Sequence, residues 1–276
     1  MGTENPPNFS PLIMRILYVY SKDKRVRKIN QLIEKHFPNL LIEKEPELIL
    51  VSGGDGAMLH AIQSCSHLDI PFFGHAMGTF NFLMNVINED DLVETIKLIQ
   101  NDKISFNTII TSKIKVQVQS SKTKKVKDIG NAVNEVVIGS NIMGYHSFTL
   151  NSKDDIFKEF EIKGSGLCIS TDLGSTGYNF NLGGDILPLG SSLWSLSGIV
   201  CNRYLKDILE IGELNISCSC KKSTPTIFLD GIDKKVKLEK NDKIILTKDG
   251  EITLYFLNKE SFLSKRLEII SRYRRA

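Results

Sequence analysis

The chain is short of most features that announce a function. No apolar run approaches the ~20 residues needed to cross a bilayer, so no membrane partner is expected. The opening MGTENPPNFSPLIMRILYVY has no basic region ahead of an apolar core. It does not read as a secretory signal, and residues 1–13 read instead as a Pro/Asn-rich tail. Five cysteines, Cys65, Cys168, Cys201, Cys218 and Cys220, contain no CxxC pair. An odd count without a signal points to reduced thiols and a cytoplasmic location. Cys218 and Cys220 alternate, and both read as small buried hydrophobes on one face of a strand. The five histidines are scattered without metal-site spacing, so no protein-held metal centre is expected. A net charge of +3 on 276 residues is too small to argue for nucleic acid, although it suits an anionic small molecule. Internal repeats and low-complexity tracts are missing too.

What is present divides the chain near residue 103. Residues 14–103 alternate strand and helix. RILYVY, ELILVS and IPFFGHAMG are apolar runs of strand length. Val26, Ile29, Leu32 and Ile33 recur at helical spacing up to the break at Pro38. Met58, Ala61, Ile62 and Cys65 mark a second helix. Leu92, Ile96 and Ile99 follow an acidic, cap-like NEDD and mark a third. Such alternation implies a parallel sheet covered on both faces. Residues 104–257 read differently. KIKVQVQ alternates strictly, and TIFLDG, KVKLEKNDKIILT and EITLYFL read as further strands separated by turn residues. That is the pattern of an antiparallel β domain, a sandwich. The Lys-rich SKTKKVK at 121–127 reads as a solvated hairpin tip.

Three clusters mix small residues with polar groups where packing alone prefers bulk. The first is Gly53-Gly54-Asp55-Gly56, at the end of an apolar strand and the start of a helical pattern. Glycines there allow close approach of the backbone to a ligand, and phosphate is the usual ligand of a strand-to-helix turn. A carboxylate repels phosphate, so Asp55 makes sense as an acceptor of a hydroxyl proton or as a partner of a metal ion. The competing reading is an ordinary tight turn. The second cluster is NAVNEVVIG at 131–139, where Asn134-Glu135 interrupts an apolar strand. The pair offers donors and acceptors suited to ribose hydroxyls or a base edge, unless it is only a solvated strand end. The third is KGSGLCISTDLGSTGYNFNLGGDILP at 163–188, a loop poor in bulk and rich in hydroxyls that can wrap a polar ligand. Tyr178 within it can stack on a base or pack beneath the loop.

GGDG at 53–56, NE at 134–135, GLCISTDLGSTGY followed by GG at 166–184, and FLDG at 228–231 resemble, in order and spacing, the NAD kinase family. The resemblance runs from about Arg15 to the C-terminus. It implies a Rossmann-like parallel α/β domain at the N-terminus, a C-terminal antiparallel β-sandwich, and an active site in the cleft between them. Residues 258–276 are then expected to pack back on the first domain. The implied reaction moves a phosphoryl group from ATP or polyphosphate to the 2′-hydroxyl of the adenosine ribose of NAD, giving NADP. Asp55 matches the family's proton acceptor. Gly53, Gly54 and Gly56 match the backbone that approaches nucleotide phosphate, and His60 matches a position that often carries a basic ligand contact. Asn134 and Glu135 match the pair that holds NAD, and Thr176, Gly177 and Tyr178 match the loop on its adenosine part. Phe82, Lys163 and Ser165 complete the NAD-binding set. Mg²⁺ is implied on the donor triphosphate, and a homodimer or homotetramer is the expected assembly.

The pattern departs from the family in four places. Ala76 and Asn81 stand where an Asn and a second Gly are usual. Gly164-Ser165-Gly166 replaces GDG. Thr171-Asp172-Leu173-Gly174-Ser175-Thr176-Gly177-Tyr178 replaces TPTGSTAY, and Ile232 replaces the Gln after the late DG. Phosphoryl-transfer parts are kept while dinucleotide-holding parts change. Two rivals therefore stand beside the NAD kinase reading: a lipid or other small-alcohol kinase of the same superfamily, and a degenerate nucleotide-binding regulator.

Overall fold

The computed structural model describes residues 13–22, 24–40, 44–76, 81–140, 144–153, 156–210, 212–219, 225–234, 236 and 238–258. Residues 1–12 of the expected tail, Cys220, and residues 259–276 of the basic C-terminal segment lie outside them. The chain forms two compact units, one made of the residues up to Ile109 with those from Thr253 onward, the other of Ile110–Ile252.

In the first unit the order is β1 (Ile16–Tyr20), α1 (Arg27–His36), β2 (Leu48–Gly53), α2 (Asp55–Cys65), β3 (Phe72–Ala76) and α3 (Glu89–Gln100). The three strands pair in parallel, with Ile16 opposite Leu48 and Ile49 opposite Phe72. Every residue of β2 is buried, as a central parallel strand covered on both faces requires. Helix α1 buries Ile29 and Ile33, one turn apart, and stops before Pro38. Helix α3 opens on Glu89-Asp90-Asp91, favourable charges at a helix N-terminus, and buries Leu92, Ile96 and Ile99. These side chains close one core with Ile16, Leu48, Leu50 and Phe73. Asn85 ties the late chain to this unit. Its Nδ2 donates to Gly74 O (3.0 Å) and Tyr255 O (3.1 Å), and its Oδ1 accepts Leu257 N–H at 2.8 Å.

The second unit is built on antiparallel strands. They are β4 (Asn107–Gln119), β5 (Val126–Ala132), β6 (Glu135–Gly139), β7 (His146–Ser152) and β8 (Phe160–Ser170), then a single-turn helix α4 (Tyr178–Asn181), β9 (Leu193–Cys201), β10 (Lys206–Glu210), β11 (Glu213–Ser219), β12 (Thr226–Leu229), β13 (Ile232–Asp233) and β14 (Lys243–Phe256). Strand β8 is central, paired with β6, β7 and β9. Ile114, Val116 and Val118 of β4 bury one face, as their alternation predicts, and join Ile138, Phe148, Trp194, Ile227 and Leu246 in one core. The turn between β4 and β5 exposes its lysines, and Lys122 pairs with Glu239 at 2.5 Å.

Four local expectations fail. In KVKLEKNDKIILT the strand begins only at Lys243, and residues 238–242 belong to no strand. Lys248-Asp249-Gly250 is not a turn: β14 runs unbroken for 14 residues, with Gly250 at φ +53. Ladders hold the strand toward both ends, since Lys243–Thr247 pair with β11 while Leu254 and Tyr255 pair with β3. NAVNEVVIG is not one strand either. It bends at Val133-Asn134, between β5 and β6. Finally, Lys163-Gly164-Ser165-Gly166 lie on β8 rather than in a loop.

Candidate functional site

The GGDG turn joins β2 to α2 without an intervening loop. Gly54 is the N-cap in extended conformation, Asp55 is the first helical residue, and no side chain caps the helix. A Cβ on Gly53 would lie 2.6 Å from Ala57 Cβ, so this glycine lets the helix sit directly on the strand end. Gly56 is exposed, with open space around it.

Asp55 does not stand free in solvent, as a turn carboxylate open to a ligand would. It is half-buried, and its carboxylate accepts Phe82 N–H at 3.0 and 2.9 Å and Leu83 N–H at 2.9 Å. The side chain therefore pins the segment after β3 against the GGDG turn. Asn81 is buried in that segment, Phe82 is half-buried, and Ala76 closes β3. Beneath the turn lies His75. Its Nδ1 is 3.4 Å from Ser52 Oγ and its Nε2 is 3.2 Å from Ile87 O. Burial pulls its pKa down and keeps the ring neutral. His60 is exposed on α2.

In the second unit, Asn134 and Glu135 sit at the bend entering β6. Asp230 builds the bend: its carboxylate accepts the N–H groups of Val133 (2.8 Å), Asn134 (2.7 Å) and Glu135 (3.0 Å). Thr171 straps the Gly/Ser/Thr loop onto the same bend. Its Oγ1 donates to Val133 O at 2.6 Å, and its N–H donates to Asn134 O at 2.8 Å. Gly174 presses against Asn134 O so closely that any Cβ would overlap it. Ser175 is buried, with Oγ donating to Asp172 O (2.9 Å) and accepting Leu187 N–H (3.0 Å). The loop then emerges: Gly177 and Tyr178 are exposed, the latter by 42%. Tyr178 is thus not packed beneath the loop. A Cβ on Gly177 would lie 3.9 Å from Glu135 Oε2, which places this lip beside the Glu135 carboxylate.

The bend leaves two acceptors waiting. Among the described residues, Asn134 Oδ1 and Glu135 Oε2 are buried without a hydrogen-bond partner. Burial, with the nearby Asp230 charge, raises the Glu135 pKa from 4.5 to about 7. Buried polar atoms are nearly always paired, so two orphaned acceptors on adjacent residues, Glu135 Oε2 beside Gly177, mark a place for a ligand that donates hydrogen bonds.

Asn134, Glu135, Thr176, Gly177 and Tyr178 are thus brought together, and Gly53, Gly54, Asp55, Gly56 and Phe82 form a second group. Lys163 is exposed and Ser165 half-buried on β8. Ser170 of the same strand pairs with Glu135, so Ser165 lies five residues, ~16 Å of extended chain, from that pairing. Asp172 and Asp230 carry no local signal of their roles. FLDG is a motif of the sequence, but nothing local tells that its Asp serves a bend about a hundred residues earlier.

The N-terminal part, residues 12–104, matches the family model described as the ATP-NAD kinase N-terminal domain. The chain is 34% identical to an NAD kinase of Rickettsia canadensis over 191 residues, 69% of this chain and 71% of that protein. It is 33% identical over the same lengths to an NAD kinase of Rickettsia prowazekii. Its fold is similar to that of yeast NADH kinase, solved with NADH, at a TM-score of 0.74 and 14% identity, covering 94% of this chain and 88% of the yeast chain. It is also similar to an NAD kinase from Archaeoglobus fulgidus, solved with ATP, at a TM-score of 0.60 and 20% identity, covering 90% and 95% of the two chains.

Proposed function

The chain belongs to the NAD kinase family, and from that membership we propose how its own residues transfer a phosphoryl group to the 2′-hydroxyl of the adenosine ribose of NAD. The observation that carries the reading is the buried, unpartnered pair of acceptors, Asn134 Oδ1 and Glu135 Oε2. Ribose hydroxyls are the donors such a pair takes, and a carboxylate that accepts two of them fixes the ribose in one orientation. The lip formed by Thr176, Gly177 and Tyr178 then lies against the adenosine part, with the exposed Tyr178 ring free to stack on the base.

Asp55 takes the proton of the 2′-hydroxyl as its oxygen bonds to the terminal phosphorus of the donor. The bond from that phosphorus to its bridging oxygen breaks, and the shortened donor leaves. The amides of Phe82 and Leu83 hold the base in one orientation, and phosphoryl transfer rests on such positioning more than on covalent help. The backbone from Gly53 to Gly56 approaches the donor phosphates, and exposed His60 adds a polar contact to them. Phe82, Lys163 and Ser165 extend the NAD-binding set beyond the ribose. Among the described residues no three His, Cys, Asp or Glu side chains converge as a metal cage. The hard carboxylate oxygen of Asp55 fits Mg²⁺ that arrives on the donor. Mg²⁺ supplies charge neutralisation of the triphosphate.

The buried and half-buried free cysteines Cys65, Cys168, Cys201 and Cys218 support a reducing, cytoplasmic setting. The exposed Val200, near the end of β9, and Tyr204, just after that strand, offer apolar surface to a homodimer or homotetramer. The decisive test is NADP formation by purified protein from NAD and Mg²⁺ with ATP or, separately, polyphosphate. Wild type is expected to form NADP, and a rate no higher than that of Asp55→Asn with both donors overturns the reading.

A further inference from the structure

The loop that carries Thr176, Gly177 and Tyr178 is anchored by a side chain that no motif foretold. Asp172 is 3% exposed, two residues past the end of β8. Its Oδ1 accepts the hydroxyl proton of Thr111 and the N–H of Leu173 at 2.9 Å, and its Oδ2 accepts Gly190 N–H at 2.6 Å. Three segments far apart in sequence thus converge on one carboxylate: the start of β4, the loop itself, and the approach to β9. A buried carboxylate is costly unless it is hydrogen-bonded, so an Asp here serves something other than packing. The resembled pattern has Pro at this position, which fixes the backbone through its ring. Here a side chain fixes it through donors on three segments.

We infer that Asp172 is the positioning residue that sets the adenosine-contacting lip, with Thr111 as its side-chain partner. The inference rests on the reading in which Thr176–Tyr178 contact NAD. Its physical basis is a contrast along the loop. Thr171 to Ser175 are fully buried and bonded, whereas Gly177 and Tyr178 are exposed. The exposed lip inherits its position from the anchored base. Strand β8 is held by three ladders of its own, so releasing Asp172 loosens the loop and spares the sheet. Loss of a preorganised contact surface raises the ligand's Michaelis constant without touching the transferred phosphoryl group.

Thr111→Val removes the donor and keeps the shape, Thr111→Ser keeps the donor, and Asp172→Asn turns one acceptor into a donor facing Gly190 N–H. Each is measured in two ways: by amide hydrogen exchange of residues 172–178 in the ligand-free protein, and by the Michaelis constants for NAD and ATP together with kcat. Thr111→Val and Asp172→Asn are expected to speed exchange across the loop and to raise the constant for NAD roughly tenfold. The constant for ATP and kcat should stay within about two-fold. Thr111→Ser should behave as wild type. Unchanged exchange, an equal rise in both Michaelis constants, or Thr111→Ser matching Thr111→Val overturns the assignment. Should Asp172→Asn fail to fold, the Thr111 pair carries the test. Should wild type form no NADP, the family reaction fails for this chain, while exchange and calorimetric NAD titration still decide the anchor.

Discussion

The two units treat their key carboxylates in opposite ways. In the first, Asp55 is oriented by the backbone amides of Phe82 and Leu83. In the second, Glu135 has a buried oxygen with no partner, and burial together with the Asp230 charge raises its pKa to about 7. A carboxylate held from behind is suited to chemistry, where a misplaced base loses rate steeply. A carboxylate left unsatisfied is suited to binding, because the ligand's hydroxyls repay a desolvation already incurred in the free protein. The supporting aspartates make the same point. Asp230 and Asp172 accept hydrogen bonds from the bend and the loop and so serve structure, whereas Asn134 Oδ1 and Glu135 Oε2 stay without a partner.

Replacing each carboxylate by its amide should therefore damage different quantities. Asp55→Asn has the largest expected effect, a fall in kcat of ~10²–10⁴-fold, the usual loss for a positioned base. It should also cost about 1–2 kcal/mol of stability, since the new NH₂ group faces the Phe82 or Leu83 N–H. Single-turnover kinetics and urea unfolding measure the two together. Full activity with lowered stability would recast Asp55 as a purely structural pin. Glu135→Gln should instead raise the Michaelis constant for NAD roughly tenfold while sparing that for ATP, and steady-state kinetics with each substrate varied separates the two.

Glu135 also makes stability and binding depend on pH. Below the ordinary Glu value of 4.5, Glu135 is protonated whether the chain is folded or not, and its burial exacts no penalty. Between 4.5 and about 7 the unfolded chain releases the proton while the folded one keeps it, so stability falls as pH rises. Above about 7 both forms are ionised and the loss is complete. Glu135→Gln should flatten that decline in thermal unfolding followed across the window. In wild type the NAD Michaelis constant should fall as pH rises through about 7, because the ionised carboxylate accepts two hydroxyls and the acid only one. A constant that rises instead would mean that Glu135 binds as a donor.

The contrast was only partly legible in the sequence. Strands such as ELILVS and the helix bearing Leu92, Ile96 and Ile99 show themselves because burial imposes a period on neighbouring residues. The GGDG turn shows itself because sterics confine small residues to a strand–helix junction. The pins do not. Asp230 acts on Asn134 across 96 positions, and Asp172 acts on Thr111 across 61. Neither relation leaves a local pattern. Lys248-Asp249-Gly250 misleads for the converse reason: its residues favour a turn, but pairing on either side overrides them. Asp55 itself stands out by its motif, yet its bond to the Phe82 amide spans 27 positions and leaves no trace in the spacing.

The smallest expected effect asks how far the unfinished half-site extends along β8. Ser165 stands where the resembled pattern has a carboxylate, and a charged acceptor holds a donor more tightly than a hydroxyl does. Ser165→Asp should therefore lower the Michaelis constant for NAD. Two features of the strand keep the gain small. Lys163 is two residues away on the same face, so its ammonium partly satisfies any new carboxylate and competes with the dinucleotide. Lys163 is also exposed, and solvent screens an interaction of this kind to about 1 kcal/mol or less. The net change should be a fall of roughly two- to fivefold, with kcat unmoved, because the reacting hydroxyl belongs to the adenosine ribose and the contact is uniform binding. Lys163→Met on the Ser165→Asp background removes a member of the NAD-binding set and should raise the constant again. NAD titration of wild type and both variants settles the matter. A constant that stays level in both confines the binding half-site to the Glu135 bend and its loop, and separates Lys163 and Ser165 from it.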